Sequence, residues 1–337
     1  MAGEITRLMV EVAVSQGLQG LKQQFDRRVL RNAVEHGGHF SNGRFQRAVF
    51  QTLQDMLRTE DHPYFSLCNR LAADVDDCYF LNYGINLTFE SWTRGAAVIR
   101  GLEAKENRNI PWCMTLYTAW KGQQMPIDTA KGIIEQGMPL GIMAWALMEE
   151  DGRSDVLRGL CDQFPNCAFT AFLPDEKMTD ALLCDLEGVD NLALVAMSKS
   201  GTFASYEVLR KHRRLFGLCR DVDAACTERM LKQQDLRLQS APEAPILFFR
   251  YTEDCPEEVR SRFTAYVKAQ KANPDYPVFP IDLSRDISRV DEIISDDACR
   301  LSLAADGTYL VGESKTPAAL SFPEASLHDA VTALLLK

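Results

Sequence analysis

The chain has 337 residues, 46% of them hydrophobic and 25% charged, with a formal net charge of −10. That balance describes a globular protein with a sizeable core, either one large domain or a barrel with an added segment, and excludes extensive disorder. The negative charge excludes a phosphate-backbone partner, and the apolar runs fall short of the roughly 18 residues of a membrane span, so neither nucleic acid nor membrane is an expected ligand.

Glu4, Arg7 and Glu11 interrupt the first apolar pattern and no small-residue cleavage site follows, so the expected location is the cytoplasm. Ten cysteines at irregular spacings are expected to be reduced thiols acting as small hydrophobes rather than a disulfide framework. From Ile5 to Gly101 the chain reads as helix. After a Ser41-Asn42 cap, Phe45, Val49, Phe50, Leu53, Met56 and Leu57 form one apolar stripe, stopped at Asp61-His62-Pro63.

From Asn109 short apolar runs alternate with amphipathic stretches, the signature of βα units around a parallel sheet. The strands predicted are Trp112–Tyr117, Ile142–Met148, Ala168–Leu173, Leu192–Met197, Leu215–Arg220, Ile246–Tyr251 and Val278–Leu283, with Pro280 weakening the last. Helix signals lie between them: Asp128 before Thr129–Gln136, Ser154 before Asp155–Gln163, Asp175 before Glu176–Glu187 with Gly188 after, and Asp254 before Pro256–Lys271. A hairpin with an Asp306-Gly307 turn spans Leu301–Val311, and a helix over Leu327–Leu336 closes the chain. Periodicity alone leaves a partial barrel and a doubly wound sheet both open.

Asn109-Ile110-Pro111-Trp112 followed by Thr115-Leu116-Tyr117-Thr118-Ala119-Trp120 resembles the first barrel strand of radical S-adenosylmethionine enzymes with a C-terminal cysteine-rich, SPASM-like extension. The likeness continues through Gly137–Met148, Asp162–Phe172, Leu215-Phe216-Gly217, Val278–Asp282 and the Leu301–Val311 hairpin. It implies a partial (βα)6-type TIM barrel over 106–297, a helical N-terminal segment over 1–105, and a shortened C-terminal extension over 298–337. That chemistry needs a Cys-x3-Cys-x2-Cys loop after the first strand, and none exists here; Thr118–Gly122 is read as passing straight to the next helix. Glu149-Glu150-Asp151-Gly152 stands where the family has Gly-Gly-Glu-Pro, Lys199-Ser200-Gly201 where it has Glu-Gly, and Tyr309–Gly312 where the extension has its first cysteine.

The resemblance with these losses implies a radical-SAM-like pseudoenzyme with its iron–sulfur cluster lost, a partner or regulator of an active enzyme, with no cofactor expected. S-adenosylmethionine stays open because one carboxylate of the altered turn can still meet an amino group. Competing readings are an S-adenosylmethionine-binding or cluster-independent enzyme and a metabolite-binding module. In a barrel, ligands meet the C-terminal strand ends. That places Tyr117, Trp120, Glu149, Glu150, Asp151, Lys199, Arg250 and Asp282, with Arg220 and Asp221, around one opening for a small molecule or peptide.

Other chemistry is thin. His36 and His39 lack a third metal ligand, no Ser/His/Asp order is usable, and Ser198–Thr202 lacks the spacing that cradles phosphate. The run Arg210–Arg214 reads as a solvated helix end or, alternatively, a docking patch for an acidic partner.

Overall fold

The computed structural model describes residues 2–23, 28, 31–32, 34–35, 47, 51, 54–59, 62–237, 244–252, 254–295, 297–312 and 315–335. Most of the stripe expected after Ser41-Asn42, with His36, His39 and Asp61, lies outside them; Met56 and Leu57 belong to a helical turn over 54–57. Helix α1 is Ala2–Gln23. Pro63 opens α2, Pro63–Asp74, behind a His62 cap, and Asp76 caps α3, Asp77–Ile85. A π-helical segment, Asn86–Gly95, runs on into α4, Ala96–Glu106.

Seven parallel strands follow, each leading into a helix: β1 Cys113–Trp120 and α5 Ile127–Gly137; β3 Ala144–Glu149 and α6 Ser154–Gln163; β4 Ala168–Pro174 and α7 Asp180–Asp185. Then come β5 Leu192–Ser198 and α8 Tyr206–Lys211, β6 Phe216–Val222 and α9 Ala224–Gln233, β7 Ile246–Tyr251 and α10 Glu257–Ala272, and β8 Phe279–Asp282 and α11 Leu283–Ser295. These seven strands overlap the seven read from the sequence, one more than the (βα)6-type barrel that the resemblance implies. The two-residue strand β2, Gln123–Gln124, pairs back on β1. The order β1-β3-β4-β5-β6-β7-β8 never reverses, whereas a doubly wound sheet reverses at a switch point.

The hairpin with the Asp306-Gly307 turn is present as β9 Leu301–Leu303 and β10 Thr308–Val311, and Gly307 takes φ +88 there. Strand β9 runs parallel to β1 on its free side, and β11, Thr316–Ser321, adds to β10. Helix α12, Leu327–Leu334, starts with a capping box from Ser326 and Asp329.

The sheet is open and strongly curved. Phe172 on β4 and Phe248 on β7 bring their ring centroids to 5.6 Å, although three strand steps of about 4.8 Å each would separate them in a flat sheet. Strand β8 pairs only with β7, so the sheet does not close. Helix α11 fills the seam: the Trp112 indole donates to Ile287 O at 3.3 Å and Ser295 Oγ to Ile110 O at 2.9 Å. Its buried polar residues Ser288, Asp291 and Ser295 recur at helical spacing and share one face.

The large core lies between the sheet's outer face and its helices. On the inner face the N-terminal helices cover the strand beginnings. Tyr83 meets Thr170 Oγ1 at 2.7 Å, Val75 packs with Ala193 and Leu215, and buried Asn86 donates to Pro165 O and Cys167 O. Arg7 and Arg94 both reach the buried Glu90, at 2.9 and 2.7 Å, tying α1 to the π segment.

One expectation is corrected. The single helix Glu176–Glu187 capped by Asp175 is instead a short 3-10 turn, Asp175–Lys177, followed by α7 behind a Thr179 cap. Asp175 serves a distant partner: it accepts from Ala204 N at 2.8 Å, Ser205 N at 3.2 Å and the Ser205 hydroxyl, so its carboxylate holds the β5–α8 loop. The basic run Arg210–Arg214 forms the basic end of α8, with Arg210 and Lys211 in its last turn. Lys211 and His212 pair with Asp180, Arg210 with Asp74, and buried Arg214 donates to the carbonyls of Leu186, Val189 and Leu192.

Candidate functional site at the strand ends

The strands' inner face carries a second, smaller apolar cluster of Tyr117, Ala146, Met148, Phe172, Val195, Met197 and Cys219, with Trp120, Phe248, Leu283 and Leu310 packed on it. Alternation along each strand puts these residues opposite the helix-facing core. The cluster fills the hollow of the curved sheet, and at the strand C-termini it is rimmed by charge.

At that rim Tyr117 and Trp120 form an edge-to-face pair with centroids 5.3 Å apart. The Arg250 guanidinium lies 5.3 Å over the Trp120 ring, reaching across from β7, and makes a two-pronged pair with Asp221 of β6, both bonds 2.7 Å. Desolvation of Tyr117 pushes its hydroxyl up to about 12, with Arg300 and Arg250 opposing the rise. It is a neutral donor at neutral pH.

The remaining sequence-derived candidates are spread over different tasks. Glu149 is fully buried and bound to Arg153, with Nη2 to Oε2 at 3.0 Å and Nε to Oε1 at 3.2 Å; Arg153 in turn donates to Thr118 O. That carboxylate holds the ends of β1 and β3 together. Glu150 accepts from Lys121 N at 2.6 Å and Asp151 from the Gln124 amide at 2.5 Å, so the altered turn is fastened to the β1–β2 hairpin. Asp282 is 1% exposed and accepts from Tyr251, Thr264, Ser284 N and Arg285 N, which makes it the amino-terminal cap of α11. Lys199 stands exposed on the β5–α8 loop, and Arg220 donates to Ser200 O at 3.3 Å in the same loop.

Thr118–Gly122 does not run straight into α5. Lys121 and Gly122, with φ of 52 and 77, make a two-residue turn, and Trp120 pairs with Gln123. Positive φ at both central residues is the geometry that matches strand twist in a tight hairpin.

Two further residues join the rim from the tail. Lys315 Nζ sits 5.1 Å over the Tyr117 ring and 6.0 Å from that of Trp120. Arg300, at the approach to β9, acts on Tyr117 electrostatically. No local pattern marks either one, because both arrive through the parallel docking of β9 on β1. What can act chemically at the rim is thus Tyr117, Trp120, Asp221, Arg250, Arg300 and Lys315, and of these Tyr117, Trp120, Asp221 and Arg250 were named from the sequence as mouth residues.

No protein-family model matches the chain, and no curated protein matches it significantly. Among solved structures, a crystal structure of Streptococcus suis SuiB bound to S-adenosylmethionine is similar with a TM-score of 0.49 at 10% sequence identity, covering 71% of this chain and 68% of that chain. A likeness of that extent says nothing about what this chain binds.

Proposed function

We propose that this chain is a partial barrel of the radical-S-adenosylmethionine type without an iron–sulfur cluster. In this reading it is a partner or regulator of an active enzyme and keeps its strand-end mouth as a small-molecule or peptide pocket. The observation that carries the reading is the β1–β2 connection. Two residues, Lys121 and Gly122, fill the place where the resembled family needs a loop bearing three thiolates. The mouth does not fit a cluster: Cys219 is the one thiol in the inner-face apolar cluster, and among the described residues no three His, Cys, Asp or Glu side chains gather as metal ligands.

The competing reading is an enzyme that binds S-adenosylmethionine or works without a cluster. The exposed Asp151 and half-exposed Glu150 favour it, since a carboxylate at the rim suits an amino group. Buried Glu149 does not, because Arg153 occupies both its oxygens.

Anaerobic expression with iron and sulfide, followed by iron quantitation and a visible spectrum, tests the leading reading. Stoichiometric iron with a brown chromophore overturns it. A colourless protein that co-purifies with an active radical-SAM enzyme supports it, and calorimetric titration with S-adenosylmethionine separates the competitor by saturable binding.

A further inference from the structure

The mouth carries donors and cations as well as the rim carboxylates Glu150 and Asp151, which accept from Lys121 N and the Gln124 amide. Arg250 of β7 lies over the Trp120 ring and Lys315, before β11, over that of Tyr117, while Arg300, whose Nη1 donates to Ser284 O, acts on Tyr117 electrostatically. Asp221 pairs with Arg250, its two oxygens held by Nε and Nη2, leaving Nη1. Among the described residues, neither the Tyr117 hydroxyl nor Trp120 Nε1 hydrogen-bonds to the protein, and neither atom is sealed in the core. Trp120 and Arg250 are half-buried and Lys315 is exposed, so the cluster is open to solvent. Donors and cations gathered on an aromatic platform call for a ligand that supplies acceptors and a flat face.

We propose that the mouth is an oxyanion site for a carboxylate or phosphoryl group borne on a planar apolar body. Arg250, Arg300 and Lys315 supply the charge, the Tyr117 hydroxyl and Trp120 Nε1 the remaining donors, and the Trp120 ring the stacking surface. This deepens the reading of the mouth as a ligand pocket and rests on it, while being independent of whether a cluster is present.

Titration of the purified full chain with inorganic phosphate and, separately, with benzoate, at constant ionic strength and followed by tryptophan fluorescence and calorimetry, tests it. One saturable site is expected. K315Q and R250Q are each expected to weaken it about tenfold, as loss of one charge-assisted contact does, and Y117F to weaken it less. R262Q, on the outer helix α10, is expected to leave it unchanged. Phosphate alone saturating assigns a phosphoryl ligand, and benzoate alone or more tightly assigns a carboxylate on a planar body. Lys315 is exposed, so K315Q keeps the test valid if R250Q fails to fold. Absence of saturation by either anion, or equal affinity in wild type and K315Q, overturns the inference. An iron-loaded protein that still binds benzoate would sink the clusterless reading and leave this one standing; a colourless protein that binds neither does the reverse.

Discussion

The main-chain amide of Trp112, just before β1, donates to Asp291 Oδ1 of α11 at 3.3 Å, tying that helix to the start of the strand. Burial lifts the Asp291 carboxyl from 3.8 to about 7, against the pull of the Trp112 amide, Arg300 and the amide and thiol of Cys299. The folded state therefore holds this proton more tightly than the unfolded chain. Its stabilising effect is complete below about pH 4, declines as pH rises from about 4 to 7, and is absent above that. A gap of about three pH units at about 1.4 kcal/mol each sets a ceiling near 4 kcal/mol. D291N is expected to flatten that part of the stability–pH curve and to raise stability at pH 8. Urea unfolding at pH 5 and pH 8 checks it, and an unchanged slope would refute the assignment.

Glu149 and Arg153 carry a second expectation. Glu149 is fully buried, and Arg153 spans from it to the carbonyls of Thr118 and Met125. Removing one partner strands the other charge, a loss of about 3 kcal/mol or more for a buried pair. E149Q is expected to lower stability by about that much, and E149Q combined with R153M to recover part of it. Chemical denaturation of the two single variants and the double variant measures the coupling, and simple additivity would show that the pair is not a unit.

The central strands β3 to β6 were legible as continuous apolar runs because most of their residues are buried on both faces, whereas β7 and β8 alternate. Ile246–Tyr251 matches its predicted span at both ends, and the other predicted strands overlap their observed counterparts. Asp306-Gly307 was legible for a local reason, a turn that only positive φ allows. The hairpin after β1 was missed because Lys121-Gly122 lacks the Asn or Asp that usually announces such a turn. Asp175 looked like a local cap and serves Ala204 and Ser205 instead. At the mouth, Trp120 and Arg250 follow from their places at strand ends. Arg300 and Lys315 do not, since nothing in the tail indicates that β9 adds parallel to β1, and Glu149 and Asp282 stand at strand ends but are engaged in holding the fold.

Gly95 and Gly141 pack backbone to backbone where the π segment meets the loop before β3. A Cβ on Gly141 would lie 2.5 Å from the Gly95 carbonyl oxygen, and Gly141 also holds φ +93. Left-handed backbone costs about 1–2 kcal/mol for a residue with a side chain, and overpacking adds about 1–3. G141A is expected to destabilise the protein by about 2–4 kcal/mol in urea unfolding. G95A strikes the same contact from the other side, so the double variant is expected to lose less than the two single losses combined. Full additivity would mean that the two glycines do not meet.

The cysteines provide a check on the packing of the whole sheet. Cys78 and Cys184 are exposed, Cys68 and Cys113 half-buried, and the other six buried. Burial pushes the thiols of Cys113, Cys167 and Cys219 up to about 12 and that of Cys161 well above its ordinary value. Only the thiolate reacts with a disulfide reagent, and at pH 8 a thiol titrating near 12 is ionised about one part in ten thousand. Two equivalents are therefore expected to react quickly in the folded protein, with the remainder released on denaturation, and mass spectrometry should place the fast label on Cys78 and Cys184. Fast labelling of Cys219 would mean that the inner face of the curved sheet is open to solvent rather than filled by Tyr117, Met148, Phe172 and Met197. The mouth would then be a deep cavity, and the rim of cations its entrance rather than its floor.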